Sequence, residues 1–416
     1  MKAFSSPGKA LLAGGYLVLD PSYSAYVVAL SSRMHAVVSA LSDDIQGDKV
    51  VRVRSSQFKD GEWTYIDGEM SRPNPFVQSV INVVLAYVQK SCKVSIDIYS
   101  DDAFHSQGES SVQKGRFRYH SLPLSEVPKT GMGSSAALTV SLTTALLSSF
   151  ETIDLDSQDT QNKIHNLAQL AHCIAQKKVG SGFDVATAVY GSTVYQRFPA
   201  SSLEQAASTD PGSEEFGQII RKLVDSRWPM KIAPCSLPPG ISLVMGDVHG
   251  GSETPKMVSQ VLKWRKEKEQ RANQVWDAIN QGNKNLVAEF MHLNEQKGTP
   301  DEYRKELNNR IPKMKEAIRT IRTNIRTMSH ESGVPIEPES QTALLDACAD
   351  LPGVVGGVVP GAGGYDAVCL VVESDKANEI IANSKKSALF DKVEWLDLKE
   401  QTRGVQEEDP TLYPSA

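Results

Sequence analysis

The residues that could do chemistry gather in four short glycine-rich stretches. The first is PGKALLAGGYLVLD, Pro7 to Asp20, which carries one lysine, Lys9. The second is PKTGMGSSAALTVSLTTALLSSF, which opens at Pro128. The third, GSGFD, ends at Asp184, and the fourth, PGAGGYDAV, opens at Pro360. In the second, a glycine turn runs straight into an Ala/Leu-rich helix. The first turn of a helix leaves backbone N–H groups without partners. The macrodipole adds partial positive charge at the same end. Gly131 and Gly133 let the backbone come close to a ligand, and Ser134 and Ser135 add hydroxyls. That is the chemistry of a phosphate site at a helix N-terminus.

Two familiar nucleotide loops are excluded. No GK[ST] follows at Walker spacing, and Gly131-Met132-Gly133 is not followed three residues later by glycine. Each stretch alone also has a plain reading. Serine and glycine cap ordinary helices. An aspartate after glycine is commonly a turn or cap residue, and VVPGAGGYDAV alone reads as a tight hairpin. Asn74, just ahead of a helix at Pro75, is equally a cap and a nucleotide contact.

The elements that must position these residues alternate between helix and strand patterns. AYVVAL (25–30) and AVVSAL (36–41) read as buried strands, and KVSIDIYS alternates as a half-buried one. Helices are expected at 75–90, 134–150 and 158–178, the last with Ile164, Leu167, Ala168, Ala171, Ile174 and Ala175 on one face. Residues 200–240 read as a loop-rich crossover. ISLVMGDV then opens a second half with long polar helices at 253–294 and 301–331, a shorter one at 338–350, a strand pair around PGAGGYDAV and a last strand near 391–397. The tail from about 403 reads as an appendage. Close strand spacing favours an α+β arrangement over a doubly wound parallel sheet.

Composition limits the function. The chain has 416 residues, 40% hydrophobic and 23% charged, with a formal net charge of −6. No broad basic face is implied, so neither nucleic acid nor an anionic membrane is expected as a partner. No apolar run is long enough to span a membrane. The five cysteines, Cys92, Cys173, Cys235, Cys348 and Cys369, show no CxxC spacing. That pattern is expected of reduced thiols in a cytoplasmic protein.

Taken in order, the four stretches resemble the GHMP kinase family, from Pro7 to about Val372. SQFKDGEW, SDDAFHSQ and MGDVHGGSETPKMV strengthen the likeness toward members whose acceptor is a phosphate. So does Gly15-Tyr16, where alcohol-phosphorylating relatives often have Glu-His. The resemblance implies a two-lobed α+β fold. An N-terminal lobe like ribosomal S5 domain 2 is expected over 1–225 and a ferredoxin-like C-terminal lobe over 226–416. It implies an ATP-dependent phosphotransferase acting on (R)-5-phosphomevalonate, with Mg²⁺ and as a monomer or small homo-oligomer. Mevalonate as acceptor, or a ligand sensor without catalysis, are the competing readings.

By the resemblance, Lys9 and Asp184 are catalytic. Asn74, Pro128, Lys129, Thr130, Gly131, Met132, Gly133, Ser134, Ser135 and Ala136 bind ATP. Ser135 and Asp184 hold the metal. The substrate falls to Lys9, Tyr16, His105, Ser181, Gly182, Ser252, Thr254, Lys256, Gly361, Ala362, Gly363 and Gly364, with His105 and the lysines counted as cations. Arg116 and Arg118 are weaker candidates. Related mevalonate kinases carry a metal-binding glutamate where this chain has Cys173, so a second protein ligand is left open.

Overall fold

The computed structural model describes residues 1–41, 45–105, 111–248 and 254–414. Two mixed layers of helix and sheet share a cleft. The first sheet is built on β2 (Ala25–Ala40), one continuous strand where the sequence suggested two. β1 (Lys2–Ala13) runs antiparallel along it. The order continues β10-β9-β2-β6-β3-β4-β5, with β3 (Lys49–Arg54), β4 (Glu62–Ile66), β5 (Glu69–Met70), β6 (Cys92–Ser100), β9 (Thr193–Gln196) and β10 (Lys231–Pro234). Only β3 and β6 pair in parallel among these. A separate hairpin, β7 (Ser111–Lys114) and β8 (Phe117–His120), lies beside them. It brings Arg116 to within 3.7 Å of Asp101, and Arg118 to the same distance from Asp102.

One face of this sheet buries helices α1 (Pro75–Val88), α2 (Ser134–Leu147), α3 (Gln158–Gln176), α4 (Phe183–Tyr190) and α6 (Glu214–Val224). Phe4, Ala36, Val38, Val53, Ile96 and Ile98 meet Val80, Val84, Val140, Leu167 and Ala171 there. α5 (Glu204–Ser208) and α6 fall in the span expected to be mostly loop. α6 owes its existence to a Ser213 cap and to buried Phe216, Ile219 and Ile220.

The second sheet is antiparallel, in the order β12-β13-β11-β14, from β11 (Ile241–Asp247), β12 (Val354–Val358), β13 (Ala367–Glu373) and β14 (Glu394–Leu396). α7 (Thr254–Glu267), α8 (Glu269–Glu295) and α9 (Pro300–Ser332) replace the two long helices expected. α9 begins with a Thr299–Glu302 capping box and Pro300, and ends at Gly333 in the left-handed region. α8 and α9 cover one sheet face. α10 (Glu339–Ala349) and α11 (Ala377–Ser384) supply Leu344, Leu345 and Ile380 to the other.

The lobes meet through a common core. Ala10 and Leu12 of β1, with Tyr26, Val28 and Leu30 of β2, pack against Leu243, Phe290, Ile318, Cys369 and Val371. The intervening Leu11 turns the other way, toward Ala186 of α4. This is the period-2 alternation of a strand buried on both faces.

The division of the sheets departs from a cut between residues 225 and 226. β10 hydrogen-bonds into the first sheet, and β15 (Gln406–Glu408) returns from the C-terminus to pair with β1. The tail is therefore a structural strand and not an appendage. Its anchor is Arg33, only 3% exposed. The guanidinium donates to Ser5 Oγ, to the Ser5 and Gly404 carbonyls and to Gln401, and lies 3.9 Å from the Glu408 carboxylate. His35, fully buried, bridges the Tyr413 hydroxyl at 2.9 Å and Asp101 at 3.1 Å. Breaking one side of a buried charge network strands the other. Deleting residues 404–416 should therefore lower the unfolding free energy by about 3–5 kcal/mol, measurable by urea denaturation against the full chain.

Candidate active site

The site forms where β1, the α2 N-terminus and the α4 N-terminus converge. The backbone N–H of Lys9 donates to the Met132 carbonyl at 3.0 Å, which lays the glycine loop across β1. The Lys9 ammonium donates to the Gly131 carbonyl at 3.0 Å and lies 5.6 Å from the centre of the Phe183 ring. Burial pushes the ammonium below the ordinary lysine range, and Asp184 and Cys369 act in the opposite direction. Lys9 thus faces the loop, the α4 carboxylate and a strand of the second lobe.

Gly131 and Gly133 both sit in the left-handed region, at φ 75° and 76°. A Cβ on Gly133 would stand 3.1 Å from Lys9 Cε, while above Gly131 there is open space. One glycine makes room for the lysine; the other leaves an open approach. Met132 and Ala136 are buried beneath, and Thr130 donates its hydroxyl to the Ala103 carbonyl at 2.6 Å. Ser134 and Ser135, half-buried in the first turn of α2, and exposed Pro128 and Lys129 complete the rim.

Ser135 Oγ lies 3.1 Å from His172 Nε2 of α3. The Gln176 amide nitrogen lies 3.1 Å from the same Nε2, and Phe76 packs on the ring at 5.7 Å between centroids. Burial pushes the imidazole below its usual range, with Asp184 opposing. Phe76 stands two residues beyond Asn74, which caps α1 by accepting from the Val77 N–H at 3.2 Å.

Asp184 stands in the first turn of α4, half-exposed, with Oδ1 accepting from the Val185 N–H at 3.0 Å. Tyr195 of β9 and Arg197, just past the end of that strand, hold the loop before it. The Tyr195 hydroxyl donates to the Ser181 carbonyl at 3.0 Å. Arg197 donates to the Gly180 carbonyl and, at 2.7 Å, to that of Leu19. Gly182 has φ 82°, and a Cβ there would come within 2.7 Å of the Tyr195 hydroxyl oxygen.

Cys173 does not face this cluster. Its thiol donates to the Val179 carbonyl at 3.3 Å and burial pushes it up to about 12. It stays neutral and turned into the core.

The substrate candidates divide. Tyr16 is 2% exposed, with its hydroxyl donating to the Ala362 carbonyl at 2.8 Å. It links the first and fourth glycine stretches and offers little surface to a ligand. His105, expected as a cation, is neutral: burial first, then Lys129 and His120, push it down to about 3. Its ring packs against Phe58 at 4.9 Å. Gly363 and Gly364 are used in packing, since a Cβ on Gly363 would overlap the Ile336 carbonyl and the Gly364 N–H donates to it at 2.8 Å. Gly361, at φ 71°, has open space above it. Lys256 is exposed in the first turn of α7, which Thr254 opens. Ser252 lies outside the described residues.

His172, Tyr195 and Arg197 were missed in the sequence. One signal for His172 was available: His165, Gln169, His172 and Gln176 form a polar stripe at helical spacing beside the apolar face of α3.

Comparison with known proteins gives the family. The GHMP kinases N terminal domain matches residues 105–192, and the GHMP kinases C terminal domain matches 304–387. A phosphomevalonate kinase of Candida albicans is 46% identical over 434 residues, covering 99% of both chains. The chain belongs to the GHMP kinase family. A Gibberella zeae phosphomevalonate kinase is 38% identical, covering 99% of this chain and 97% of its own. Among solved structures, Streptococcus pneumoniae phosphomevalonate kinase in complex with phosphomevalonate and AMPPNP aligns with a TM-score of 0.67 at 18% identity. It covers 96% of this chain and 100% of its own. The two-lobed α+β architecture is that of GHMP kinases.

The two loop glycines should respond differently to alanine. Gly131→Ala meets no neighbour and should cost roughly 1–2 kcal/mol of backbone strain. Gly182→Ala adds a clash to the same strain and should cost clearly more. Equilibrium denaturation of the two variants checks the order.

Proposed function

We infer that Lys9, the α2 N-terminus, Ser135 and Asp184 together form the phosphoryl-transfer centre of this GHMP kinase. The chain transfers the γ-phosphoryl group of ATP to the phosphate of (R)-5-phosphomevalonate, giving ADP and (R)-5-diphosphomevalonate. The observation that carries the assignment of residues is the Lys9 ammonium bonded to the Gly131 carbonyl, with the Asp184 carboxylate near enough to act on its charge.

Phosphoryl transfer asks for positioning and charge neutralisation more than covalent chemistry. The free N–H groups at the start of α2 would receive ATP phosphate oxygens, with Gly131 leaving the approach open. Lys9 would bring positive charge to the transferred group from the β1 side. An acceptor oxygen of 5-phosphomevalonate attacks the γ-phosphorus as the bond to the ADP oxygen breaks. The acceptor phosphate is already largely ionised near neutral pH, its second pKa being about 6. A strong general base is therefore unnecessary, and Asp184 acts chiefly by orienting the acceptor and holding Lys9 charged.

The donors suit Mg²⁺. Ser135 offers a hydroxyl oxygen, and Asp184 keeps one carboxylate oxygen clear of the Val185 N–H. A hard cation that retains waters needs few protein oxygens, and among the described residues no cluster of three or more His, Cys, Asp or Glu could hold a metal. Bound there with ATP, Mg²⁺ would neutralise phosphate charge. Exposed Lys256 and the open side of Gly361 would supply the acceptor side of the site. Five free cysteines, three of them buried, fit a cytoplasmic setting. No helix among the described residues is long and apolar enough to cross a membrane.

The purified protein should form ADP with 5-phosphomevalonate and not with mevalonate; turnover on mevalonate alone overturns the assignment. Asp184→Asn should lower kcat by roughly a hundred-fold with ATP affinity little changed. An unaltered kcat removes Asp184 from the site.

A pH profile tests Lys9. Its ammonium lies below the ordinary lysine range, so its charge is lost at a lower pH than in an exposed lysine. In the free enzyme kcat/KM should therefore fall on the alkaline side before that range is reached. Lys9→Arg, always charged, should move the fall to higher pH or abolish it.

A further inference from the structure

We propose that His172 is a positioning residue for phosphoryl transfer: its Nε2 accepts the Ser135 hydroxyl proton and so turns the Ser135 oxygen toward the nucleotide-bound cation. The inference rests on the reading of Ser135 as a ligand of that cation.

Three observations carry it. The Ser135 oxygen and His172 Nε2 are 3.1 Å apart, a hydrogen-bond distance. The Gln176 amide nitrogen, placed 3.1 Å from the same Nε2, carries only hydrogens. With the Gln176 amide placed this way, Nε2 is the bare nitrogen and Nδ1 carries the ring proton, and the Gln176 N–H and the Ser135 O–H share the one Nε2 lone pair. Finally, His172 is only 4% exposed and held by Phe76, so the acceptor is fixed on the core side of Ser135.

The geometry gives the hydroxyl a direction. A serine oxygen that binds a cation must point its own hydrogen away from it. In an open loop the hydroxyl rotates freely and donates to water or to a phosphate oxygen. Here a fixed acceptor lies behind it, so the O–H points inward and the lone pairs point toward the open side of the Gly131–Ser135 turn. Groups that orient a ligand in this way typically change metal affinity by about 10–100-fold when removed. The neighbouring Cys173 cannot substitute, because its thiol is spent on the Val179 carbonyl.

The test compares His172→Leu, which removes the acceptor, with His172→Gln, whose Oε1 can accept from Ser135. Two quantities are read. One is the free Mg²⁺ needed for half-maximal turnover at saturating 5-phosphomevalonate. The other is calorimetric affinity for a non-hydrolysable ATP analogue, with Mg²⁺ and with EDTA. His172→Leu should raise the Mg²⁺ requirement about ten-fold or more and weaken analogue binding only when Mg²⁺ is present. His172→Gln should restore most of both. An unchanged Mg²⁺ requirement, or an equal loss of affinity in EDTA, overturns the proposal, since a merely structural role would act without the metal.

If His172→Leu does not fold, a Ser135→Ala background carries the test. There His172→Gln should leave the Mg²⁺ requirement where Ser135→Ala puts it, and a further rise overturns the proposal. Ser135→Ala must itself raise that requirement. If it does not, the reading of Ser135 as a cation ligand fails and takes the proposal with it. Failure confined to the His172 variants removes the positioning role alone.

Discussion

An ammonium withdrawn from water needs partners, and the cleft is arranged around that need at Lys9. Its charge is supported by the Gly131 carbonyl, by Asp184 and by the face of Phe183. The lysine and its partners come from three segments. β1 supplies the lysine, the α2 turn supplies the carbonyl, and α4 supplies both the carboxylate and the ring. A side chain at Gly133 would press on the lysine, with its Cβ 3.1 Å from Lys9 Cε. The second lobe takes part too, because Cys369 of β13 lies behind the ammonium. Burial alone would favour the neutral amine, and Asp184 opposes that. A site of this kind is poised to bind anions strongly, because incoming phosphate strengthens the charge that the protein only partly stabilises.

Holding such a cleft requires the two lobes to keep register. The shared core through β1 and β2 does most of this, one polar tie crosses between the lobes, and two arginines fix segments against the first sheet. Tyr16 fastens the first glycine stretch to the Ala362 carbonyl. Arg197 joins the Leu19 and Gly180 carbonyls, so the turn after Tyr16 and the loop before Asp184 move together. Arg33 gathers the returning C-terminus onto β1 and β2. These arginines are costly to bury and earn their place only where their donors are used. In both, backbone carbonyls of separate segments converge on one guanidinium, whose planar fork suits that task.

Local chemistry was the most legible part of the sequence. GMGSS before an Ala/Leu run predicts a helix start with free N–H groups, because glycine freedom and serine capping act within a few residues. The α6 helix and β10 were obscured by the proline- and serine-rich segments around them. The tail could not be read, since its role depends on Arg33 some 371 residues from Gly404, and no local pattern carries that distance. Tyr16 was placed in the cleft by its sequence neighbours, yet its ring belongs to a cluster with Trp264, Trp276 and Met328. His105 looked cationic because histidine often is, and only its burial shows that it is neutral. On α3 the apolar face was counted and the polar stripe beside it overlooked. Buried polar residues carry more information than buried apolar ones, because each must have found a partner.

The Cys173 position connects the electrostatics of the cleft to its acceptor. Where mevalonate kinases place a glutamate, this chain has a thiol that burial keeps neutral and that points to the Val179 carbonyl. On the proposed reading of the site, the thiol leaves it one negative charge short of that pattern. An alcohol acceptor brings no charge at its reacting oxygen, so a second carboxylate beside the cation is tolerable there. A phosphate acceptor brings nearly two charges close to those of ATP. Repulsion between like charges grows steeply where water is excluded. With Asp184 and Lys9 in the roles proposed above, the cleft is better matched to that load. The same charge makes a strong base superfluous, which is compatible with the role proposed for Asp184 toward both the lysine and the acceptor. The thiol at 173, the half-exposed Asp184 and the sheltered Lys9 are then parts of one adjustment, toward an acceptor that arrives already ionised.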